Sequence, residues 1–210
     1  FTSSNKVDYC ALESLIEWYL SHNVHGLFAV CQSSEMFALS DKERTELARF
    51  IVQQVDGRVP VIASGNLSDT INAQIEESHR MAETGVDAVV LLSNRFTSQT
   101  EPDDEWKRKV GQLLRALPHV RFGLYECPYP YKRLLSPELL AWCASTGQFL
   151  FLKDTSCDLG QIEAKLRAVE GTSLRVYNAN TATLLDSFKL GVSGFSGVMA
   201  NFHPDLYVWL

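Results

Sequence analysis

Seven short apolar runs, each followed by a segment of helix length, constrain the fold of this chain more than any other feature. They fall at 26–31, 59–64, 86–92, 120–125, 148–153, 173–177 and 192–196. Several are near-continuous Val, Leu, Phe and Ala without polar alternation, the pattern of strands buried on both faces of a parallel sheet. The intervening segments carry helical stripes. Trp106, Val110, Leu113, Leu114 and Leu117 share one face, as do Leu47, Phe50, Ile51 and Val55. Ser40 with Glu43 has the spacing of a capping box, and Ser136-Pro137-Glu138 places a cap and a first-turn proline at another helix start. Gly57, Gly85, Gly147, Gly171 and Gly191 each stand between a helical stripe and the next apolar run, where a helix ends in a left-handed residue.

Repeated β-then-α units predict an α/β fold, a (β/α)8 TIM barrel occupying residues 1–210 as one domain. A first helix over 7–21 precedes the first run. In a barrel a strand precedes that helix, so the chain is expected to lack the first strand; Phe1 reads as mid-sequence, and no signal-peptide pattern opens the chain. The alternative is a doubly wound sheet, but no G-x-G-x-x-G follows the first run.

Composition narrows the function. Acidic residues outnumber basic ones, 25 to 19, for a net charge of −6, which disfavours a nucleic-acid groove or an anionic membrane surface. No apolar run approaches the roughly 18 residues of a spanning helix. The five cysteines, Cys10, Cys31, Cys127, Cys143 and Cys157, are scattered with no C-x-x-C pair, so reduced thiols and a cytoplasmic location are expected.

Barrel chemistry sits at the C-terminal ends of the strands. His22, His25 and His119 precede their strands, while His79 and His203 fall in helical segments, so neither a histidine triad nor a metal site is expected. Lys153 stands out: Phe149-Leu150-Phe151-Leu152 runs straight into its amine. Desolvation there would lower its pKa and leave more neutral, nucleophilic amine, as Schiff-base chemistry requires. The alternative is a lysine that snorkels to solvent or pairs with Asp154. Tyr125 ends the preceding run, one βα unit earlier, and its phenol is suited to moving the protons of carbinolamine formation and dehydration. After the first run, Cys31-Gln32-Ser33-Ser34-Glu35 offers hydroxyls and backbone N–H groups for a carboxylate. Tyr129-Pro130-Tyr131-Lys132-Arg133 reads either as aromatic walls with two cations for an acidic substrate or as a stiff connector with solvated cations.

These residues together resemble the superfamily of dihydrodipicolinate synthases and N-acetylneuraminate lyases, the pyruvate-dependent class I aldolases. Val59-Pro60-Val61-Ile62-Ala63 with Gly65 is similar to its third-strand signature, and Gly85-Val86-Asp87-Ala88-Val89 to the approach to its fourth strand. Leu124-Tyr125 with Pro128 resembles its L-Y-N-x-P motif, and Lys153-Asp154-Thr155-Ser156 its K-D-[ST]-S motif. Gly191-Val192, Gly194 and Ala200-Asn201 fit the last strand and the segment after it.

The resemblance implies Lys153 as the Schiff-base lysine, Tyr125 as the proton shuttle, and Gln32, Ser33 and Ser196 as substrate-binding residues. It implies a 2-keto acid and an aldehyde as substrates, no cofactor, a homo-oligomer (dimer or tetramer), and C-terminal helices that this chain lacks. Three positions depart from the pattern. Gln32 stands where the family has its first loop hydroxyl, Phe96 near where it has a tyrosine from the neighbouring subunit, and Pro130 where dihydrodipicolinate synthases carry an arginine. The expected activity is therefore cleavage or condensation of a pyruvate-type donor with an aldehyde such as a 2-keto-3-deoxy sugar acid yields. The alternatives are 4-hydroxy-tetrahydrodipicolinate synthesis and a binding protein on a retired aldolase scaffold. Phe96, Tyr129, Tyr131 and Ser196 are expected to shape the acceptor end of the pocket.

Overall fold

A computed structural model describes residues 1–210. All seven predicted runs are strands: β1 (Leu27–Val30), β2 (Val61–Ser64), β3 (Ala88–Leu92), β4 (Phe122–Tyr125), β5 (Phe149–Asp154), β6 (Arg175–Asn178) and β7 (Gly194–Phe195). They form one parallel sheet in the order β1 to β7, with no reversal of strand order. A doubly wound sheet requires such a reversal, so the barrel reading stands. Here β1 and β7 are edges, each bonded on one side. With a single neighbour, β7 shortens to two residues from the five expected, its N-terminal end taken up when Val192 N–H bonds to Ser187 O.

Eight helices accompany the strands: α1 (Tyr9–Ser21), α2 (Asp41–Val55), α3 (Ile71–Ala82), α4 (Asp103–Ala116), α5 (Pro137–Ser145), α6 (Leu159–Ala168), α7 (Leu184–Leu190) and α8 (Pro204–Trp209). Helix α1 begins two residues later than expected because Asp8 caps it, its carboxylate accepting from Ala11 N–H. The Ser40–Glu43 capping box and the Ser136 cap form as predicted. All five predicted helix-end glycines adopt positive φ. His203 is the one misplaced histidine: it caps α8 rather than lying within a helix. None of the helices is long and apolar enough to cross a membrane.

The helices pack on the outer face of the sheet, α2 against β1 and β2, α3 against β2 and β3, and α5 against β5. Strand β3 is buried along its whole length, which explains its unbroken Ala-Val-Val-Leu-Leu sequence. On β4, β5 and β6 alternation sorts the side chains. Gly123 and Tyr125 face inward, as do Phe151, Lys153 and Tyr177, while the residues between them face the helices. Gly123 is required by a close approach: a Cβ there would lie 2.1 Å from the Phe151 ring. The space it leaves lets Phe151 fill the interior beneath Lys153 and meet Tyr177 edge to face at 6.0 Å.

Candidate active site

Tyr125 and Lys153 are direct partners in the β4–β5 register, side by side at the C-terminal ends of adjacent strands. Lys153 is only 8% exposed, so it does not snorkel. It does not pair with Asp154 either: successive strand residues point to opposite faces, and Asp154 points to the helix layer. The amine instead lies against two aromatic rings, 4.7 Å from the Tyr125 centroid and 5.3 Å from that of Phe28. Burial lowers the pKa of Lys153, opposed by the facing thiols of Cys31 and Cys127. Burial likewise pushes the Tyr125 phenol well above the usual tyrosine value, so it is a donor at neutral pH.

Gln32 opens a short 3-10 turn over Gln32–Ser34 that comes after β1. The Tyr125 hydroxyl donates to Gln32 Oε1 at 3.4 Å, and the Cys127 thiol donates to the same oxygen at 3.4 Å. The amide oxygen of Gln32 faces these two groups, with its NH2 group turned away. Ser33 is exposed beside this group, its hydroxyl 2.9 Å from Cys31 Sγ. Ser34 is folded into the loop, where its hydroxyl accepts from Cys31 N–H. Ser196 lies at the end of β7, two strands from Lys153, and its N–H is used in the sheet bond to Asn178. Lys153, Tyr125 and Gln32 are thus brought together, with Ser33 alongside, and no hydrogen bond joins Ser196 to them.

Behind the pair sits a buried ion cluster that the sequence pattern did not announce. Glu126 and Asp154 follow Tyr125 and Lys153 and therefore face outward, where Lys165 of α6 reaches both carboxylates at 2.6 Å. All three residues are at most 1% exposed. Glu126 also accepts from Leu135 N–H at 2.8 Å and Thr155 N–H at 3.1 Å, and the Thr155 hydroxyl donates back to Glu126 O. Burial raises the Glu126 carboxyl to about 7, against the opposing pull of Lys165. The cluster fastens the segments after β4 and β5 to each other and to α6. Its sequence signal was a lysine on a buried stripe, three residues after Ile162 and four before Val169.

Several expected pocket residues lie elsewhere. Phe96 is 2% exposed and packs edge to face against Trp106 of α4 at 5.6 Å, so it belongs to the core between sheet and helix. The Tyr131 hydroxyl donates to Asn94 O and Thr97 O, stapling two loops. Tyr129 is exposed and meets Phe37 at a tilt, with ring centroids 5.0 Å apart. Of the two cations of this loop only Lys132 is exposed, and both have partners. Arg133 is buried, paired to Asp103 at 2.9 Å and bonded to Ser98 O and Glu101 O, while the Lys132 amine donates to Thr155 O.

A buried, aromatic-flanked lysine thus stands beside a tyrosine at the C-terminal mouth of a parallel barrel, the face on which such barrels carry their chemistry. The sequence profile of the dihydrodipicolinate synthetase family matches residues 1–210, and the chain belongs to that family of pyruvate-dependent class I lyases and aldolases. It is 29% identical over 202 residues to the 4-hydroxy-tetrahydrodipicolinate synthase of Acidithiobacillus ferrooxidans, covering 95% of this chain and 67% of that one. The Staphylococcus carnosus enzyme of the same name is 28% identical over 204 residues, covering 96% and 67%. The chain thus spans about two thirds of the length of these relatives. Among solved structures, a prophage protein of the dihydrodipicolinic acid synthase family from E. coli K12, in complex with pyruvate, superposes with a TM-score of 0.89 at 24% identity. That match covers 99% of this chain and 70% of the other. The dihydrodipicolinate synthase of Acinetobacter baumannii, complexed with pyruvate, gives the same score and identity over 99% and 69%. At this identity the two structures establish the barrel fold.

Proposed function

We propose that this chain carries the catalytic centre of a Schiff-base aldolase or lyase acting on a 2-keto acid and an aldehyde. The observation that carries the reading is the unpaired, buried amine of Lys153 in register with Tyr125. The neutral amine adds to the ketone carbon to give a carbinolamine. The Tyr125 hydroxyl protonates the departing oxygen, which leaves as water. The resulting protonated imine is an electron sink, so the C3 proton departs and the enamine attacks the aldehyde; cleavage is the reverse. The outward NH2 group of Gln32, with Ser33 and the N–H groups of its turn, holds the keto-acid carboxylate, and Ser196 contributes at the acceptor end.

The names of the relatives favour a second reading, 4-hydroxy-tetrahydrodipicolinate synthesis. Against it, Pro130 supplies neither charge nor donor, and Arg133 is committed to Asp103. Losing a hydrogen bond to a charged group costs about 1.5–3 kcal/mol, or roughly 10- to 150-fold in binding. Aspartate semialdehyde should therefore fall below 2-keto-3-deoxy sugar acids in kcat/KM. A semialdehyde value above every sugar acid would establish the second reading instead.

The lowered pKa of Lys153 has a direct consequence for rate. Only the neutral amine attacks, so imine formation should rise with pH and level off below the pH near 10.4 at which an ordinary lysine would level. Stopped-flow measurement of pyruvate imine formation checks this. A rise continuing past about pH 10 would contradict desolvation as the activating effect.

A further inference from the structure

Gln32 cannot exchange a proton with Tyr125, because a carboxamide neither gives up nor takes one near neutral pH. Yet each turnover that frees water from the carbinolamine takes a proton from the phenol, which must then be restored. One ionisable group shares Gln32 Oε1 with Tyr125. Cys127, fully buried, reaches that oxygen at 3.4 Å, the same distance as the Tyr125 hydroxyl. Its own carbonyl is held by the Asn94 amide at 2.8 Å, which fixes the residue in place.

We propose that the Cys127 thiol is the proton store of this site, acting through Tyr125 in the step from carbinolamine to enamine. The inference rests on the Schiff-base reading above. As the carbinolamine C–O bond breaks, the Tyr125 O–H proton passes to the departing oxygen and the Cys127 S–H proton passes to the phenol oxygen. Water leaves, and the site holds a thiolate opposite the positively charged imine. When the enamine forms, the C3 proton returns through Tyr125 to the thiolate, so protons and charge balance over the two steps.

The energetics favour this direction. Thiols ionise about 1.5 units below phenols, so proton flow from Cys127 to a Tyr125 phenolate is downhill. Burial raises the thiol's pKa, opposed by its bond to Tyr129 O at 3.5 Å, by contact with Tyr125 and by the charge on Lys153. The other ionisable groups facing the amine are Cys31 and Tyr125 itself. Cys31 is engaged with Ser33 at 2.9 Å, and Glu126 and Asp154 face away into the Lys165 cluster.

Exchange of the pyruvate methyl protons in D2O, followed by proton NMR on the whole chain, reads enamine formation without any aldehyde. Cys127→Ala should slow exchange on the order of 10²-fold, the size of one positioned proton-transfer group, while the yield of borohydride-trapped adduct at equilibrium is unchanged. Cys127→Ser should fall between, at least tenfold below the unaltered protein, because an alcohol relays a proton but cannot hold the anion. Its pH profile should also lose the thiol's ionisation. If the alanine variant fails to fold, the serine variant decides the matter by the same two readouts. Exchange within twofold of the unaltered protein, with the same pH profile, overturns the relay. An unaltered protein that traps no pyruvate overturns the Schiff-base reading instead, so the two failures are distinguishable.

Discussion

Replacing Lys153 by methionine should remove activity by a factor on the order of 10⁴ or more while making the protein more stable. The two effects have one cause. The amine is nearly buried against Phe28 and Tyr125 with no carboxylate partner, and keeping an ammonium there costs free energy. Methionine matches its length and returns contact with both rings. The expected gain is about 0.5–2 kcal/mol, typical where a functional residue is destabilising. Urea unfolding alongside a pyruvate-dependent activity assay checks both halves. A variant that is inactive and also less stable would mean that the lysine serves packing first.

The opposite outcome is expected at Lys165. This lysine is equally buried but has both carboxylates at 2.6 Å, and truncating it leaves Glu126 and Asp154 facing each other without a counter-charge. Removing one partner of a buried pair costs about 3–5 kcal/mol. Lys165→Met should therefore lower the urea midpoint sharply, and adding Glu126→Gln and Asp154→Asn should recover most of the loss, because no buried charge is then left alone. A loss under about 1 kcal/mol in the single variant would contradict the cluster as a fastening of the strand ends. Two buried lysines on one chain are thus expected to differ in the sign of the same substitution.

The contrast between these lysines also explains what the sequence made legible. Strand positions were readable because burial on both faces writes an unbroken apolar run, as in β3, and because positive-φ glycines punctuate the helix ends. Lys153 and Tyr125 were readable because a polar residue closing such a run has one place to go, the mouth of the barrel. The Lys165 cluster was harder, since it joins residues 126, 154 and 165 through a helix whose rotation about its axis is set by packing. Phe28 and Cys127 looked like ordinary strand and loop residues, and only the curvature of the sheet brings Phe28 of β1 over the amine of β5. The positions of Phe96 and Arg133 are not legible for a related reason. Loop residues after a strand can turn inward to the mouth or outward to the helices, and nothing local decides between them. Here Trp106 and Asp103 on α4 draw both outward.

Borohydride reduction in the presence of pyruvate tests most directly whether Lys153 forms the imine. Mass mapping of the digested protein should place a single reduced pyruvyl group on the peptide containing Lys153, with Lys132, Lys165 and Lys189 unmodified. An adduct on any of those lysines, or no adduct at all, would contradict the account.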